Sequence, residues 1–139
     1  KPGVELWQVS SGQRVGVIAT NQAIYGLMFT PDSSLLIGGG HSTGVLVWDV
    51  ASRSQVHQWM GHRSAVLDVS VSPDGNTLAT IGDDHTLRLW HMSTGHELYT
   101  LCRHDRELKW LRFASPHRLL VGTSFSGEPS YGVFVFDSK

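Results

Sequence analysis

Eight histidines are the residues of this chain best suited to metal binding or proton transfer near neutral pH. None of them forms a recognised ligand spacing. His85 and His91 stand at the two ends of one predicted strand, which separates them by roughly 20 Å at about 3.3 Å per residue. We therefore expect neither a metal site nor another cofactor.

Two glycine-rich segments resemble parts of enzyme motifs. GGGHSTG at 38–44 resembles a phosphate-binding loop, but it lacks the Walker lysine and leads into a predicted strand instead of a helix N-terminus. GTSFSG at 122–127 resembles a nucleophile elbow, but Ser126 replaces its fifth-position glycine and no helix follows. We expect turns at both places and no catalytic activity.

The last third of the chain is mildly basic, with six basic and four acidic residues from position 101 onward. Around Trp110 lie Arg103, Arg106, Lys109 and Arg112, a set that suits phosphate contacts and base stacking. Asp105 and Glu107 interrupt this set, and the formal net charge of the whole chain is −1. The favoured interpretation is a solvated, locally paired strand and loop, with no nucleic acid as partner.

Length and composition indicate one folded unit. The chain has 139 residues, 40% of them hydrophobic, which is enough for one domain. No apolar run approaches the roughly 18 residues of a membrane-spanning helix, so no membrane partner is expected. The single cysteine, Cys102, excludes an intramolecular disulfide and is compatible with a reducing compartment, which favours the cytoplasm.

A repeat dominates the sequence. Four short β-rich runs end in an aromatic residue: VELWQV (4–9), VLVWDV (45–50), LRLWHM (87–92) and VFVFDS (133–138). Their aromatic residues, Trp7, Trp48, Trp90 and Phe136, are spaced by 41, 42 and 46 residues. A period of this length suits a unit of four short strands.

The intervening segments also repeat. A turn and an alternating run follow each aromatic residue, and a second alternating run then leads into a proline at Pro31, Pro73 and Pro116. Apolar residues two positions apart indicate strands. The predicted repeats are 14–50, 54–92 and 96–137, preceded by the strand at 4–9. Only 103–113 also has near-helical apolar spacing, and we prefer a strand there because the equivalent segments are strand-like.

Residues Gly61–His91 resemble a WD-repeat unit: they contain a Gly-His pair, two strands joined by a PDG turn, an Asp-containing turn and a strand ending in Trp. The resemblance extends over the chain as three repeats and the last strand of a fourth. It implies an all-β fold, a partial β-propeller of about three and a third four-stranded antiparallel blades. Because propellers typically have four to eight blades, the chain is expected to be a fragment or a protomer that closes a ring with copies.

The resemblance also implies a buried hydrogen-bonded chain of His62, Thr80, Asp84 and Trp90, with Gly82 as the alternative to Thr80 if the second strand has another register. The other signature positions are Trp7, Trp48, Asp49, Gly61, His104, Phe136 and Asp137. In the first repeat NQAI (21–24) replaces Gly-His and Ser42 replaces the Asp, while the third repeat has Arg103-His104 and Phe136-Asp137. The outer repeats are therefore expected to depend on apolar packing.

The resemblance also implies a non-enzymatic scaffold that binds other proteins or peptides through its loops. The remaining blades of a parent chain, or further copies of this one, are expected as additional partners. The connections expected to share one rim are 21–24, 39–43, 61–64, 83–85, 103–107 and 124–131. Interfaces favour Arg and aromatic residues. The candidate contacts are Arg63, Arg106, Phe125 and Tyr131, followed by His41, Asp83 and His85. The alternative is a regulatory or sensory propeller at the C-terminus of a larger protein, such as a bacterial kinase or nucleotidase.

Overall fold

The computed structural model describes residues 3–103, 107–124 and 131–137, without the side chains of residues 102, 103, 124, 131, 134 and 136. These residues form four antiparallel sheets, and no helix occurs among them. The first sheet contains β1 (Gly3–Gln8) and β2 (Gln13–Ala19). The second contains β3 (Ile24–Phe29), β4 (Leu35–Gly40), β5 (Gly44–Asp49) and β6 (Ser54–Met60).

The third sheet contains β7 (Val66–Val71), β8 (Thr77–Gly82), β9 (Thr86–His91) and β10 (Glu97–Arg103). The fourth contains β11 (Glu107–Ser115), β12 (Arg118–Ser124) and β13 (Tyr131–Asp137). Strands follow chain order across every sheet. The all-β prediction is confirmed, and the segment with helical spacing is a strand from Glu107 onward.

Three apolar cores lie between successive sheets. Ile18, Leu36, Leu46 and Trp48 fill the space between the first and second sheets. A cluster that includes Ile37, Val69 and Trp90 joins the second sheet to the third, and one that includes Ile81, Leu111 and Val121 joins the third to the fourth. Because the third sheet packs on both faces, β8 is buried almost throughout instead of alternating.

The sheets are offset from the sequence repeats by one strand. Each sequence repeat begins with one strand, β2, β6 or β10. This strand is hydrogen-bonded into one sheet, and the remaining strands of the same repeat form the next sheet. The strands β3, β7 and β11 are the first strands of the second, third and fourth sheets, and we call them the inner strands. They contact each other from sheet to sheet: β7 contacts both β3 and β11.

The turns after Pro31 and Pro73 have nearly the same construction. The Ser72 hydroxyl and the Asn76 N–H donate to the Asp74 carboxylate at 2.5 and 3.1 Å, and Gly75 adopts a φ of +75°. Asp32 accepts from the Thr30 hydroxyl at 2.6 Å and from the Ser34 N–H at 3.1 Å. These hydrogen bonds, led by those from Ser72 and Thr30, lower the pKa of both carboxyls. Charged carboxylates therefore hold the turns at one end of the sheets.

Candidate interaction rim and its supporting hydrogen bonds

At the opposite end of the third sheet, the structure brings His62, Thr80, Asp84 and Trp90 into one hydrogen-bonded chain. The Trp90 indole N–H donates to the Thr80 hydroxyl oxygen at 2.8 Å, and Thr80 Oγ1 lies 2.7 Å from His62 Nε2. His62 Nδ1 lies 3.1 Å from Asp84 Oδ1. Thr80 and Trp90 are buried, so the chain shields its polar atoms from water.

The hydrogen bonds assign the protons within this chain. The Asp84 carboxylate can only accept, so His62 Nδ1 carries a proton and donates to it. In the neutral ring Nε2 is then an acceptor, and the Thr80 hydroxyl, whose oxygen accepts the Trp90 indole N–H, donates its proton to Nε2. Burial lowers the pKa of His62, against the opposing effect of Asp84. A neutral imidazole at neutral pH is the form that this arrangement requires.

Asp84 fastens the loop before β7 to the turn before β9. Burial alone would raise the pKa of Asp84, but hydrogen bonds from the Arg63 backbone, Thr86 and His62 lower it to about 2. Its Oδ2 accepts the Arg63 N–H at 2.8 Å, and its Oδ1 accepts the Thr86 hydroxyl at 2.7 Å. The Asp83 N–H donates to the Ala65 carbonyl at 2.8 Å. The two connections are thus held together at the rim.

The network extends to residues that the sequence analysis did not name. Arg88 Nε donates to Thr86 Oγ1 at 3.1 Å, and Arg88 Nη1 donates to Glu97 Oε2 on β10 at 2.7 Å. Thr86 and Arg88 are two positions apart and share one face of β9, directly after the turn that contains Asp84. That alternation is a signal from which they could have been found. The network therefore reaches the outermost strand of the sheet.

The neighbouring sheets lack the groups needed for such a chain. In register with Thr80 stand Gly38 on β4 and Val121 on β12, neither of which has a hydroxyl. In the first repeat the two loops exchange roles. The side-chain oxygen of Gln22, in the loop before β3, accepts the Ser42 N–H of the β4–β5 turn at 2.7 Å, whereas in the third sheet the turn supplies the acceptor. Apolar clusters pack these sheets against their neighbours, and the fourth sheet is also bound to β7 by the ion pair between Arg112 and Asp68.

The signature residues occupy different environments. Trp48 is buried and Trp7 is exposed, with its indole N–H 3.2 Å from Glu5. Asp49 accepts the N–H and hydroxyl of Ser52, and Asp137 accepts from Arg118 at 3.3 Å. A Cβ at Gly61 would lie 2.6 Å from the Trp90 ring, so only glycine fits there. The Phe136 backbone pairs with Leu119 on β12, and His104 lies outside the described residues.

Four of the candidate contact residues are on connections at the rim. Arg63, Asp83 and His41 are exposed, and His85 is half-buried with a φ of +62°. The His41 N–H donates to the Ala23 carbonyl at 3.0 Å, which fixes its turn. Arg106 and Phe125 lie outside the described residues, and of Tyr131 only the backbone is described, at the start of β13. The residues near the β8–β9 turn and the start of β11 line a 120 Å³ pocket: Leu67, Gly82, Asp83, His85, Glu107, Leu108 and Lys109.

The segments considered for other chemistry have structural environments. Gly38–Gly40 belong to β4, and a turn and β5 follow them where a phosphate loop needs a helix. Lys109 pairs with Glu107, and Arg112 pairs with Asp68 at 2.7 Å, so both cations around Trp110 whose side chains are described have acidic partners. Across the described ranges, no group of three or more His, Cys, Asp or Glu side chains is arranged to hold a metal ion. Within the same ranges, no helix is long and apolar enough to cross a membrane.

Comparisons with known proteins agree with this architecture. Residues 12–49 and 53–91 match the family model described as WD domain, G-beta repeat. The chain is 30% identical to protein tipD of Dictyostelium discoideum over 74% of its own length and 17% of that protein. It is 30% identical to a guanine nucleotide-binding protein subunit beta of Oryza sativa subsp. japonica, over 96% of its own length and 38% of that protein.

A structure described as that of U3-55K superposes with a TM-score of 0.70 at 25% identity, covering 84% of this chain and 40% of that one. The chain thus spans well under half of each of these relatives. With four successive antiparallel sheets, this likeness confirms the predicted partial propeller.

Proposed function

The chain belongs to the WD-repeat family, and from that premise we propose that it is a non-enzymatic scaffold that binds another protein at the rim around Arg63, Asp83, His85 and His41. The observation that carries the proposal is a set of exposed side chains on turns whose backbones are fixed. Arg63 is exposed, while its backbone N–H is bound to the Asp84 carboxylate. A rigid scaffold that positions variable loops is a common arrangement for recognition.

The composition of the rim supports a protein partner. Arg63 has a planar guanidinium with several donors, and arginine is enriched in protein interfaces. His41 lies beside the exposed ring of Tyr25, whose hydroxyl is 3.4 Å from His41 Nδ1. Asp83 gives the same surface an exposed carboxylate. A mixed surface with aromatic and guanidinium groups suits a folded protein or peptide better than a uniformly charged polymer.

The relatives favour the same class of function. One of them is named as a subunit of guanine nucleotide-binding protein, and a protein of that name works within an assembly. We extend only this general role to the present chain. The identity of its partner is therefore a matter for direct capture and not for transfer from a relative.

The test compares capture by three forms of the chain, each immobilised at equal density. The wild type, the double variant Arg63→Glu with His41→Ala, and the control Arg14→Glu are exposed to an extract of the source organism, and captured proteins are quantified by mass spectrometry. Arg14 is exposed on β2, away from the rim. We expect at least one captured protein to fall about tenfold or more with the double variant and to be unchanged with the control, since removal of an interface hot spot costs 2 kcal/mol or more. Capture that is insensitive to the double variant would place the binding site elsewhere.

A further inference from the structure

The outermost strand of the second sheet, β6, has one free edge. Among the described strands it is hydrogen-bonded to β5 alone, so its other edge presents a row of backbone N–H and C=O groups. Every residue of β6 except Trp59 is exposed, and Val56 and Met60 are 42% and 60% exposed. Apolar clusters join the second sheet to the first and to the third. Because further sheets of a propeller would be added beyond the first or the fourth sheet, they would not cover this edge.

This strand lacks the usual protection of an exposed edge. Proteins discourage pairing between edges by placing charged residues or proline on such strands. The seven residues of β6, SQVHQWM, include no Asp, Glu, Lys, Arg or Pro. The outermost strands of the neighbouring sheets are charged, since β2 contains Arg14 and β10 contains Glu97 and Arg103. β6 is therefore the outer strand of this chain best suited to accept another strand.

The sequence of β6 is symmetrical in character about Gln58. His57 and Trp59 flank this glutamine, and their rings lie on one face of the strand with centroids 6.4 Å apart and an interplanar angle of 27°. The exposed apolar residues Val56 and Met60 follow on either side. The register shift against β5 falls before His57, so residues 57–60 form an uninterrupted ladder with β5. A strand with this pattern is complementary to itself when two copies are paired antiparallel.

We propose that β6 pairs antiparallel with β6 of a second copy of this chain about a two-fold axis at Gln58, so that the two second sheets join edge to edge. In this register His57 lies opposite Trp59 of the other copy, and Val56 lies opposite Met60 of the other copy. Each contact therefore occurs twice, as in any two-fold interface. Backbone hydrogen bonds satisfy the free edges of both strands, and the aromatic and apolar pairs across the strands add to them. The two Gln58 amides, which can both donate and accept, meet at the axis.

Two observations favour a second copy over another occupant. Because β6 has no formal charge, two copies meet without like charges opposite each other, and an acidic or basic segment would find no complementary charge. Each copy also offers a strand that is already ordered by its ladder with β5. A disordered peptide that added to the same edge would first lose its conformational freedom, which costs binding free energy. A second copy is thus the occupant that the strand itself specifies.

The first test is disulfide cross-linking in a Cys102→Ser background, so that each chain has one cysteine. Gln58→Cys, Gln55→Cys and Gln13→Cys replace three exposed glutamines, two on β6 and one at the start of β2. In the proposed register the two copies of position 58 are directly opposite, with Cα atoms about 4.5–5.5 Å apart, which is within the range of a disulfide. Position 55 lies opposite position 61, so its two copies are roughly 20 Å apart. After mild oxidation with diamide, we expect the yield of covalent dimer for Gln58→Cys to exceed that of both controls by about fivefold or more.

The second test is sedimentation velocity of the wild type, Gln58→Lys and the control Gln13→Lys over a range of protein concentrations. Pairing through one strand buries less than a standard interface of about 1,600 Å², so we expect a weak dimer that is detected at about 10–100 µM. Gln58→Lys places two ammonium groups opposite each other at the axis and raises the dissociation constant about tenfold or more. Gln13→Lys leaves the dissociation constant unchanged. A far-ultraviolet circular dichroism spectrum equal to that of the wild type confirms that each variant is folded.

Three results would overturn the inference: a wild type that stays monomeric at these concentrations, equal cross-linking of the three cysteine variants, or association that Gln58→Lys leaves intact. The last result would place the contact between copies on the open faces of the first or fourth sheet. The inference goes beyond the proposed rim function and does not depend on it. Arg63→Glu with His41→Ala leaves the dimer unchanged, and Gln58→Lys leaves capture at the rim unchanged, so the failure of one proposal is distinguishable from the failure of the other.

Discussion

Replacing the Thr80 hydroxyl is the sharpest test of the buried hydrogen-bond chain. Thr80→Val keeps the shape of the side chain and removes the group that accepts from Trp90 at 2.8 Å and bonds His62 Nε2 at 2.7 Å. Thr80 is fully buried, so water cannot replace the hydroxyl and two polar groups lose their partner. At 1–3 kcal/mol for each unsatisfied group, discounted for partial relaxation, we expect a loss of about 2–4 kcal/mol.

Thermal unfolding followed by circular dichroism at pH 7 measures this loss. For a chain of 139 residues, the expected decrease in Tm is about 7–14 °C. Thr80→Ser is the matched control, because it keeps both hydrogen bonds and removes one buried methyl group, which costs about 1 kcal/mol. A Thr80→Val protein as stable as Thr80→Ser would refute the conclusion that the hydroxyl links His62 to Trp90.

Three further outcomes follow from the same region. His62→Ala and Asp84→Ala each lower the free energy of unfolding by about 1–3 kcal/mol in urea titrations. Ser42→Ala is nearly silent, because its hydroxyl makes only long hydrogen bonds to Gly44, at 3.4 and 3.5 Å, and its backbone N–H keeps the bond to Gln22. The reverse order would contradict the assignment. Stability falls on acidification in two stages. Burial lowers the pKa of His62 in the folded state, so below about pH 6.5 the unfolded chain binds more protons than the folded chain and the free energy of unfolding declines. The pKa of Asp84 is about 2 in the folded state, against an ordinary value of 3.8, so its contribution to the free energy of unfolding is lost as the pH falls from about 4 to 2. Urea titrations at pH 7, 5 and 3 check this, and Asp84→Asn should flatten the lower stage. Gly61→Ala forces a contact with the Trp90 ring and lowers Tm by several degrees. Gly12→Ala is the control: nothing lies within 4 Å of the added Cβ, so its Tm changes only through the positive φ at that position. Equal decreases in Tm for the two variants would argue against the ring contact.

The sequence predicts the strands well because both their alternation and their turns are local. Leu27 and Phe29 before Pro31, or Val69 and Val71 before Pro73, are enough to predict the inner strands. The members of the buried chain were expected only through the resemblance of Gly61–His91 to a WD-repeat unit, and neither composition nor periodicity identifies them. The Thr86, Arg88 and Glu97 extension was missed because no motif includes it, although Thr86 and Arg88 lie on one face of the predicted strand.

The contacts between inner strands could not be predicted in the same way. Asp68 accepts the N–H of Leu111, which is 43 positions away in the sequence. Nearly every residue has a backbone N–H, so the residue type at position 111 does not identify it as the donor. Such contacts become visible only when the inner strands are compared in space.

The one-strand offset between repeats and sheets determines how the molecule comes apart. Separating repeat 54–92 from the preceding repeat requires more than parting two packed surfaces. The backbone hydrogen bonds between β6, at the start of this repeat, and β5 must also break, from Asp49 to Gly44. The same holds for β2 against β1 and for β10 against β9. Backbone hydrogen bonds thus add a nearest-neighbour coupling to the apolar contacts, and repeats that are coupled in this way unfold together. Under mechanical load, separating one repeat from the next would require breaking the backbone hydrogen bonds of the strand pair that connects them, β1–β2, β5–β6 or β9–β10.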